Sequence, residues 1–362
     1  MVEDKDIYDF VIVGTSPIAI TEAIYLQAQG NKVLLIDAAS KCGGAWKTVN
    51  YNSIPEIEIG CHIWDVEKRV TNFLQKFYGL DLIELNPKPM IYYKGFSIPY
   101  DWKVNLSTTK IIFKRIIRLK FTLLMKELKS PRYRFSILPS KYVYPRGGAK
   151  ELISKIEKKV QEFNLNIRLS TAIESIEVMK NSITLNTSNN GIKTKNLITT
   201  SLTHLTKITI ENKLRETPKA NKFNFIHVHL LLEGRSEKEI SYIRWMNHPV
   251  IHRISDMTDQ VRGEIEPNQK IYAVGVHSSF FEGKHIEEIV SQIDSNLRSK
   301  KLISKNQRII AYDANTYSSA YSSTVFFRSL QKELDGRITL LHSTNFTLSF
   351  YERINQYEKL LK

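Results

Sequence analysis

The hydrophobic and polar positions of this chain fall into their clearest order between residues 9 and 37. Asp9-Phe10-Val11-Ile12-Val13 is a short, β-rich apolar run that stops at Gly14-Thr15-Ser16-Pro17. Turn residues directly after such a run mark the end of a strand. A helix-period stretch follows from Ile18 to Gln29, Gly30-Asn31 ends it, and Lys32-Val33-Leu34-Leu35-Ile36 is a second apolar run closed by Asp37. Strand, helix and strand in this order predict a βαβ unit with a parallel strand pair, since parallel strands need a crossover and a helix supplies it.

Further along, the pattern predicts a helix around Val66 to Tyr78, strand-like segments near Met90 to Ile98, and a helical stretch from about Lys110 to Lys129 closed by Pro131. The turn Tyr144-Pro145-Arg146-Gly147-Gly148 opens a helix from Ala149 to Phe163, with Asn164 as its stop. Asn166 to Leu169, Ala172 to Val178 and Ser182 to Leu185 read as short strands, Asn189-Asn190-Gly191 as a hairpin turn, and Leu197 to Thr200 as an inner strand. Alternation from Phe225 to Leu232 and from Ile271 to Val276 predicts an antiparallel sheet with one wet face. No repeat, Gly/Ser-rich linker or low-complexity tract interrupts the chain.

A chain of 362 residues suits two domains, and 42% hydrophobic with 25% charged residues excludes a disordered or collagenous protein. The formal charge of +15 implies a surface that attracts anions: a phosphorylated substrate, an anionic membrane surface or nucleic acid. Cys42 and Cys61 are the only cysteines, too few for a disulfide framework and without metal-ligand spacing, which implies a reducing compartment and no structural zinc. The acidic, polar start Met1 to Asp6 lacks the features of a signal peptide, and the expected location is cytoplasmic. No run approaches 18 uninterrupted apolar residues; the most apolar, Ile111 to Leu128, is broken by five basic residues.

In a dinucleotide-binding GxGxxG turn, the first glycine makes the tight turn, the second admits the pyrophosphate and the third lets helix and strand pack closely. The six positions here read Gly14-Thr15-Ser16-Pro17-Ile18-Ala19. Ala19 is a tolerated variant. Ser16 places a hydroxymethyl group where the pyrophosphate normally meets bare backbone, with a hydroxyl able to donate to a phosphate oxygen at the positive end of a helix. Asp37, at the end of the second strand, stands where a carboxylate accepts hydrogen bonds from both ribose hydroxyls of an adenosine. A βαβ unit whose Ser16 and Ala19 merely pack is the alternative.

Asp37 to Thr48, with Gly43-Gly44-Ala45-Trp46, resembles the acid-then-GG signature that follows the βαβ unit in the amine oxidase, phytoene desaturase and protoporphyrinogen oxidase superfamily of FAD proteins. Gly60-Cys61-His62-Ile63-Trp64 is similar to the segment beside the isoalloxazine ring in UDP-galactopyranose mutase and its relatives, and Tyr93 to Pro99 to the segment that follows it there. Tyr144 to Leu152 resembles the superfamily's Y-P-x-G-G-x-x-x-L motif, with the strand around Ile173 where the family's backbone reads the adenine. The likeness spans most of the chain in order and is strong over residues 9–64 and 142–200. The Gly-Asp pair that the superfamily carries near its C-terminus is replaced by Ser343-Thr344.

The resemblance implies an α/β fold: a Rossmann-like FAD-binding domain from residues 1–95, 142–222 and 321–362, and a mixed antiparallel-sheet-plus-helix substrate domain from 96–141 and 223–320. The implied FAD contacts are Gly14, Ser16, Pro17, Ala19, Asp37, Gly43, Gly44, Trp46, Ile173, Thr344 and Asn345. The implied activity is FAD-dependent oxidoreduction of an anionic small molecule. One alternative is a sugar-nucleotide mutase with flavin as covalent catalyst. Another is a binding protein without flavin, like Rab GDP-dissociation inhibitors, whose first turn reads G-T-x-x-x-x-E; Gly14-Thr15 through Glu22 resembles that pattern with a longer spacing before the glutamate.

Four further features stand open between chemistry and structure. His62 is the candidate for touching flavin or moving a proton, or equally a hydrogen-bonded structural histidine. Trp46 reads as core before it reads as an aromatic wall. Arg244 and Arg253, in a segment rich in arginine, histidine and aromatic residues, suit a phosphate or carboxylate, or are strand-surface residues. The basic face of the 110–129 helix suits anionic lipid and a peripheral membrane contact, or is a solvated face. No sequence-reading nucleic-acid motif, P-loop or nucleophile triad is present.

Overall fold

The computed structural model describes residues 7–60, 62–85, 87–93, 96–99, 142–188, 190–200, 207–216, 221–235, 240, 242–246, 248–321, 324–341 and 346–362. The expected helix at 110–129, and Ser343, Thr344 and Asn345, lie outside the described residues. Among the described residues no helix is long and apolar enough to cross a membrane.

Ile7–Val13 and Val33–Ile36 pair in parallel, joined by the helix Pro17–Ala28, as the apolar runs predict. They sit inside a parallel core ordered Ile167–Arg168, Val33–Ile36, Ile7–Val13, Gly191–Thr199, Ile338–Leu340. Numbered along the chain this is 3-2-1-4-5, the doubly wound order of dinucleotide-binding sheets. Such a sheet is covered on both faces, and Val33–Ile36 is accordingly buried at every position. On one face pack Pro17–Ala28, Lys68–Tyr78 and Gly148–Glu162, with Phe350 and Tyr357 from the last residues. On the other, Leu330 of the helix Thr324–Glu333 and Leu334 just beyond it pack against Ile176, Val178, Ile183 and Leu185 of an antiparallel extension.

Two of these elements are tied down by buried polar groups. Pro17 occupies the first turn of its helix, where its missing N–H is harmless. Its carbonyl accepts from Thr21 Oγ1 at 2.8 Å and from the Tyr78 hydroxyl at 3.0 Å, which binds the first helix to the second. Glu22 is buried, accepting from Arg353 Nη1 at 3.0 Å and the Tyr357 hydroxyl at 2.6 Å. Glu22 is thus an internal anchor.

Among the described residues a second sheet has seven strands, ordered Arg308–Tyr321, Asn221–Glu233, Gln269–His277, Ile251–Asp256, Tyr242–Met246, Pro87–Tyr93, Phe96–Pro99. Along Asn221–Glu233, Val228, Leu230 and Leu232 point toward the helix Ile286–Ser299 and join a core with Ile289, Ile293 and Leu297. His227 and His229 alternate with them and face the opposite way, toward the segment before Gly60.

Three expectations need correcting. The helix expected from Val66 starts at Lys68, because the Glu67 side chain accepts from Val70 N–H at 2.9 Å and caps it there. Tyr144-Pro145 ends a strand, Tyr142–Pro145, rather than forming the turn itself. Strand pairing puts Pro87–Tyr93 beside Tyr242–Met246, so the first divide between sheets falls before residue 87 and not after residue 95.

Replacing Arg353 by methionine leaves the buried Glu22 carboxylate without its cation. Because Arg353 is partly exposed, the expected loss is at the low side of that for a broken buried pair, about 2–3 kcal/mol. It should appear as a lower urea midpoint at unchanged m-value.

Candidate functional site

In an open parallel sheet, ligands bind beyond the C-terminal strand ends where the strand order reverses. Here that point lies between Val13 and Thr199. Gly14 turns the chain with φ 111°, a conformation open to glycine, and a Cβ on it would fall 2.3 Å from Thr200 Oγ1. Its N–H donates to the Ile36 carbonyl at 2.8 Å. Ser16 follows in the N-cap position of Pro17–Ala28, yet its side chain makes no cap bond. Its Oγ is buried with no hydrogen-bond partner among the described residues. The Gly43-Gly44 turn lies against it: Gly43 N–H donates to the Thr15 carbonyl at 3.0 Å, and a Cβ on Gly44 would stand 3.1 Å from Ser16 Cβ. Pro17 and Ala19 are buried in the first helical turn. The structure therefore brings Gly14, Ser16, Pro17, Ala19, Gly43 and Gly44 together.

Asp37 ends its strand as expected, but its carboxylate is not open to two ribose hydroxyls. Oδ2 accepts both the N–H of Thr15, at 2.9 Å, and its hydroxyl, at 2.7 Å, while Oδ1 accepts Ala39 N–H at 2.9 Å. Of the roughly four lone-pair sites of a carboxylate, one remains, on Oδ1. Ser170 and Thr171 donate main-chain N–H groups to the carbonyls of Ala39 and Asp37, each at 2.8 Å, so the strand from Ile173 starts close to the same carboxylate.

Toward the second sheet, Trp46 is buried in an aromatic cluster with Trp64, Tyr144 and Phe346, and its ring centroid lies 4.7 Å from that of His62. It belongs to the core. His62 keeps about a third of its side chain exposed. Its main-chain N–H donates to Glu58 Oε1 at 3.1 Å, and its Nδ1 meets the same oxygen. Glu58 is wholly buried, and its other oxygen accepts from the Tyr144 hydroxyl. Burial raises its pKa, opposed by His62 and by the charge of Arg253.

Arg253 reaches this place by a feature of the sheet. His227 stands opposite Gly275, and Gly275 opposite Arg253, so all three share one face. A register shift beside residue 252 inserts one extra residue in the Arg253 strand. A Cβ on Gly275 would lie 2.5 Å from His252 Cε1 and 2.8 Å from Arg253 Cγ; the missing side chain makes room for both. Across that gap Arg253 Nε and Nη2 donate to His227 Nε2, at 3.1 and 2.6 Å. His227 Nδ1 donates to the Ile59 carbonyl and His229 Nε2 to the Glu58 carbonyl, the latter at 3.1 Å, leaving His229 Nδ1 to accept from the Tyr51 hydroxyl at 3.0 Å. Burial, with Arg253 adding to it, pushes the His229 pKa down to about 4 and His252 to about 3, and drives His227 far below the usual range. All three are neutral at physiological pH. Arg244 faces Arg253 directly across the neighbouring strand pair and is exposed.

Glu58, His227, His229 and Gly275 are thus part of the arrangement without having been singled out from the sequence, and Thr15, Tyr144 and His252 were read there only as members of longer segments. The His-x-His spacing inside an alternating strand was the available signal, because it puts two titratable rings on one sheet face. Gly275→Ala should displace His252 and Arg253 and lower stability by about 1–3 kcal/mol, as overpacking does; a urea midpoint within error of the parent would show that the ring and the guanidinium can move aside.

Residues 12–77 match the NAD(P)-binding Rossmann-like domain family. No curated protein matches the chain in sequence. Among solved structures, the chain is similar to a reduced UDP-galactopyranose mutase, with TM-score 0.68 and 12% identity over 98% of this chain and 94% of that one. It is similar to a protein assigned as a protoporphyrinogen oxidase from Exiguobacterium sp. 255-15, with TM-score 0.65 and 13% identity over 99% of each chain. Cyclohexylamine oxidase from Brevibacterium oxydans IH-35A gives TM-score 0.64 and 12% identity over 99% of this chain and all of that one. At these identities the likeness speaks to architecture alone: the chain shares the overall fold of these three proteins, with a Rossmann-like dinucleotide-binding unit at residues 12–77.

Proposed function

We propose that this protein is an FAD-dependent oxidoreductase acting on an anionic small molecule. The observation that carries the reading is the buried Ser16 hydroxyl, left without a partner among the described residues at a helix N-terminus. A buried hydroxyl is normally satisfied, and a donor at the positive end of a helix suits a phosphate oxygen. The Gly14 turn and the Gly43-Gly44 loop border the same point, as a diphosphate cradle requires. Gly14, Ser16, Gly43 and Gly44 would hold the diphosphate, and the free site of Asp37 one ribose hydroxyl. A bound flavin supplies the redox chemistry, as an acceptor of two electrons.

The remaining roles fall to side chains of this protein. His62, part-exposed beside Trp46, is placed to hold or take a proton. Arg253 and Arg244, opposed on one sheet face with neutral histidines around them, favour a carboxylate or phosphate on the substrate. The low-pKa histidines add polarity without adding positive charge.

Purified protein should show the near-ultraviolet and visible bands of oxidised flavin, or take up added FAD with those bands. Anaerobic bleaching of the bands by an anionic substrate would mark net redox chemistry; turnover of a sugar nucleotide only after prior reduction would favour the mutase alternative. A colourless protein that takes up no FAD would end the flavin reading and leave that of a binding protein. Thr15→Val should free a lone pair of Asp37 for the second ribose hydroxyl, and the FAD dissociation constant should fall about tenfold, the worth of one charge-assisted hydrogen bond. An unchanged constant would mean that Thr15 does not compete with the ribose.

A further inference from the structure

We propose that Glu58 is a positioning residue that holds His62 in the tautomer protonated on Nδ1, leaving Nε2 as the nitrogen that accepts a proton. The use of that nitrogen rests on the proposed function; the tautomer does not, since it is a property of the protein alone.

Glu58 is the wholly buried carboxylate at the meeting point of the two sheets. Its backbone is fixed from both sides. Ile57–Glu58 pairs with Thr48–Val49, while the carbonyls of Glu58 and Ile59 accept from His229 and His227 on the facing strand. Three donors then converge on the side chain. Oε2 takes the Tyr144 hydroxyl, and Oε1 takes the main-chain N–H of His62 together with the ring nitrogen Nδ1. The His62 main-chain N–H and the Tyr144 hydroxyl both donate to this carboxyl group, an arrangement that suits its ionised form against the cost of burial; an ionised carboxylate only accepts, so the proton between Oε1 and Nδ1 is assigned to the imidazole. A neutral imidazole with Nδ1–H carries its lone pair on Nε2.

The surroundings keep the ring from escaping this arrangement. The Trp46 ring packs at 4.7 Å from it, and a Cβ at Gly60 would stand 3.4 Å from His62 Cε1, 3.2 Å from His227 Cε1 and 3.2 Å from Arg253 Nη2. The titratable and charged groups gathered around Glu58 and His62 are Arg253 from Ile251–Asp256, His227 and His229 from Asn221–Glu233, Tyr144 from Tyr142–Pro145, and Tyr51. Burial holds the two histidines neutral and raises the Glu58 pKa, and His62 and the charge of Arg253 oppose that rise. The result is a carboxylate that orients a histidine from behind, as metal-ligating and acid–base histidines are oriented elsewhere.

The test is a long-range proton–nitrogen NMR correlation on the full chain with nitrogen-15-labelled histidine, recorded where His62 is neutral, with His62→Gln to identify its signals. The wild type should show protonated Nδ1 and bare Nε2, favoured about tenfold or more by the bond to a charged acceptor. Glu58→Gln should keep that pattern, because its amide oxygen can accept in the same place. Glu58→Met removes the acceptor and should shift His62 toward the Nε2–H form. A wild-type His62 protonated on Nε2, or a Glu58→Met ring unchanged from wild type, would overturn the proposal. Should the methionine variant not fold, the wild-type pattern decides alone. FAD titration of the same samples reports on the flavin reading separately: a wild type that binds no FAD ends that reading and leaves the tautomer result standing.

Discussion

Everything described here depends on the parallel pairing of Ile7–Val13 with Gly191–Thr199, two strands separated by about 180 residues of chain. That pairing brings Gly14 against Thr200, creates the point at which the strand order reverses, and aims the first helix at it. Closing so long a loop is entropically unfavourable but grows only slowly with length. The burial of both faces of the sheet offsets it: Val11, Ile12, Leu197, Leu34 and Leu35 are all essentially inaccessible. The chemistry-bearing segments hang from the ends of these strands.

Between the two sheets the protein accepts an arrangement that stability alone would not favour. A buried carboxylate, two buried histidines and an arginine converge around Gly60. Each is satisfied: Glu58 by three donors, His227 by a carbonyl and a guanidinium, His229 by a carbonyl and a hydroxyl. Such a network is tolerable only when complete, since one unpaired member carries a desolvation penalty of several kcal/mol. Gly275 leaves the space across which Arg253 reaches, and the extra residue beside it puts His252 and Arg253 on one face; an ordinary strand would have turned one of the two to the other side.

Local grammar made the first third of the fold readable in the sequence. Apolar runs bounded by Gly14, Gly30 and Asp37 specify strand, helix and strand with little help from tertiary contacts, and the Gly43-Gly44 turn lies against Ser16 as a diphosphate loop should. The helix Ile286–Ser299 and the long strand Arg308–Tyr321 were less legible: in the strand's second half Asn315, Ser318, Ser319 and Ala320 dilute the strand signal of Thr316, Tyr317 and Tyr321, and the segment takes its form from pairing with Asn221–Glu233. Arg244 and Arg253 could be named from composition, but not their direct opposition, which is a matter of register. Glu58 was hidden because nothing in Ile57-Glu58-Ile59 distinguishes a buried glutamate from an exposed one. Asp37 was legible in position and not in occupancy, since Thr15, which donates twice to its carboxylate, looks in sequence like an ordinary filler between Gly14 and Ser16.

The strand Gly191–Thr199 has two successive neighbours on the same side: its first half pairs with Ile183–Thr187 and its second with Ile338–Leu340. The second neighbour is made about 140 residues later. At a ribosomal rate of roughly 5–20 residues per second, the edge at Leu197–Thr199 therefore waits on the order of ten seconds, uncovered, for its partner to emerge. Through that interval the nascent chain presents an apolar strand edge of the kind that chaperones hold and neighbouring chains join.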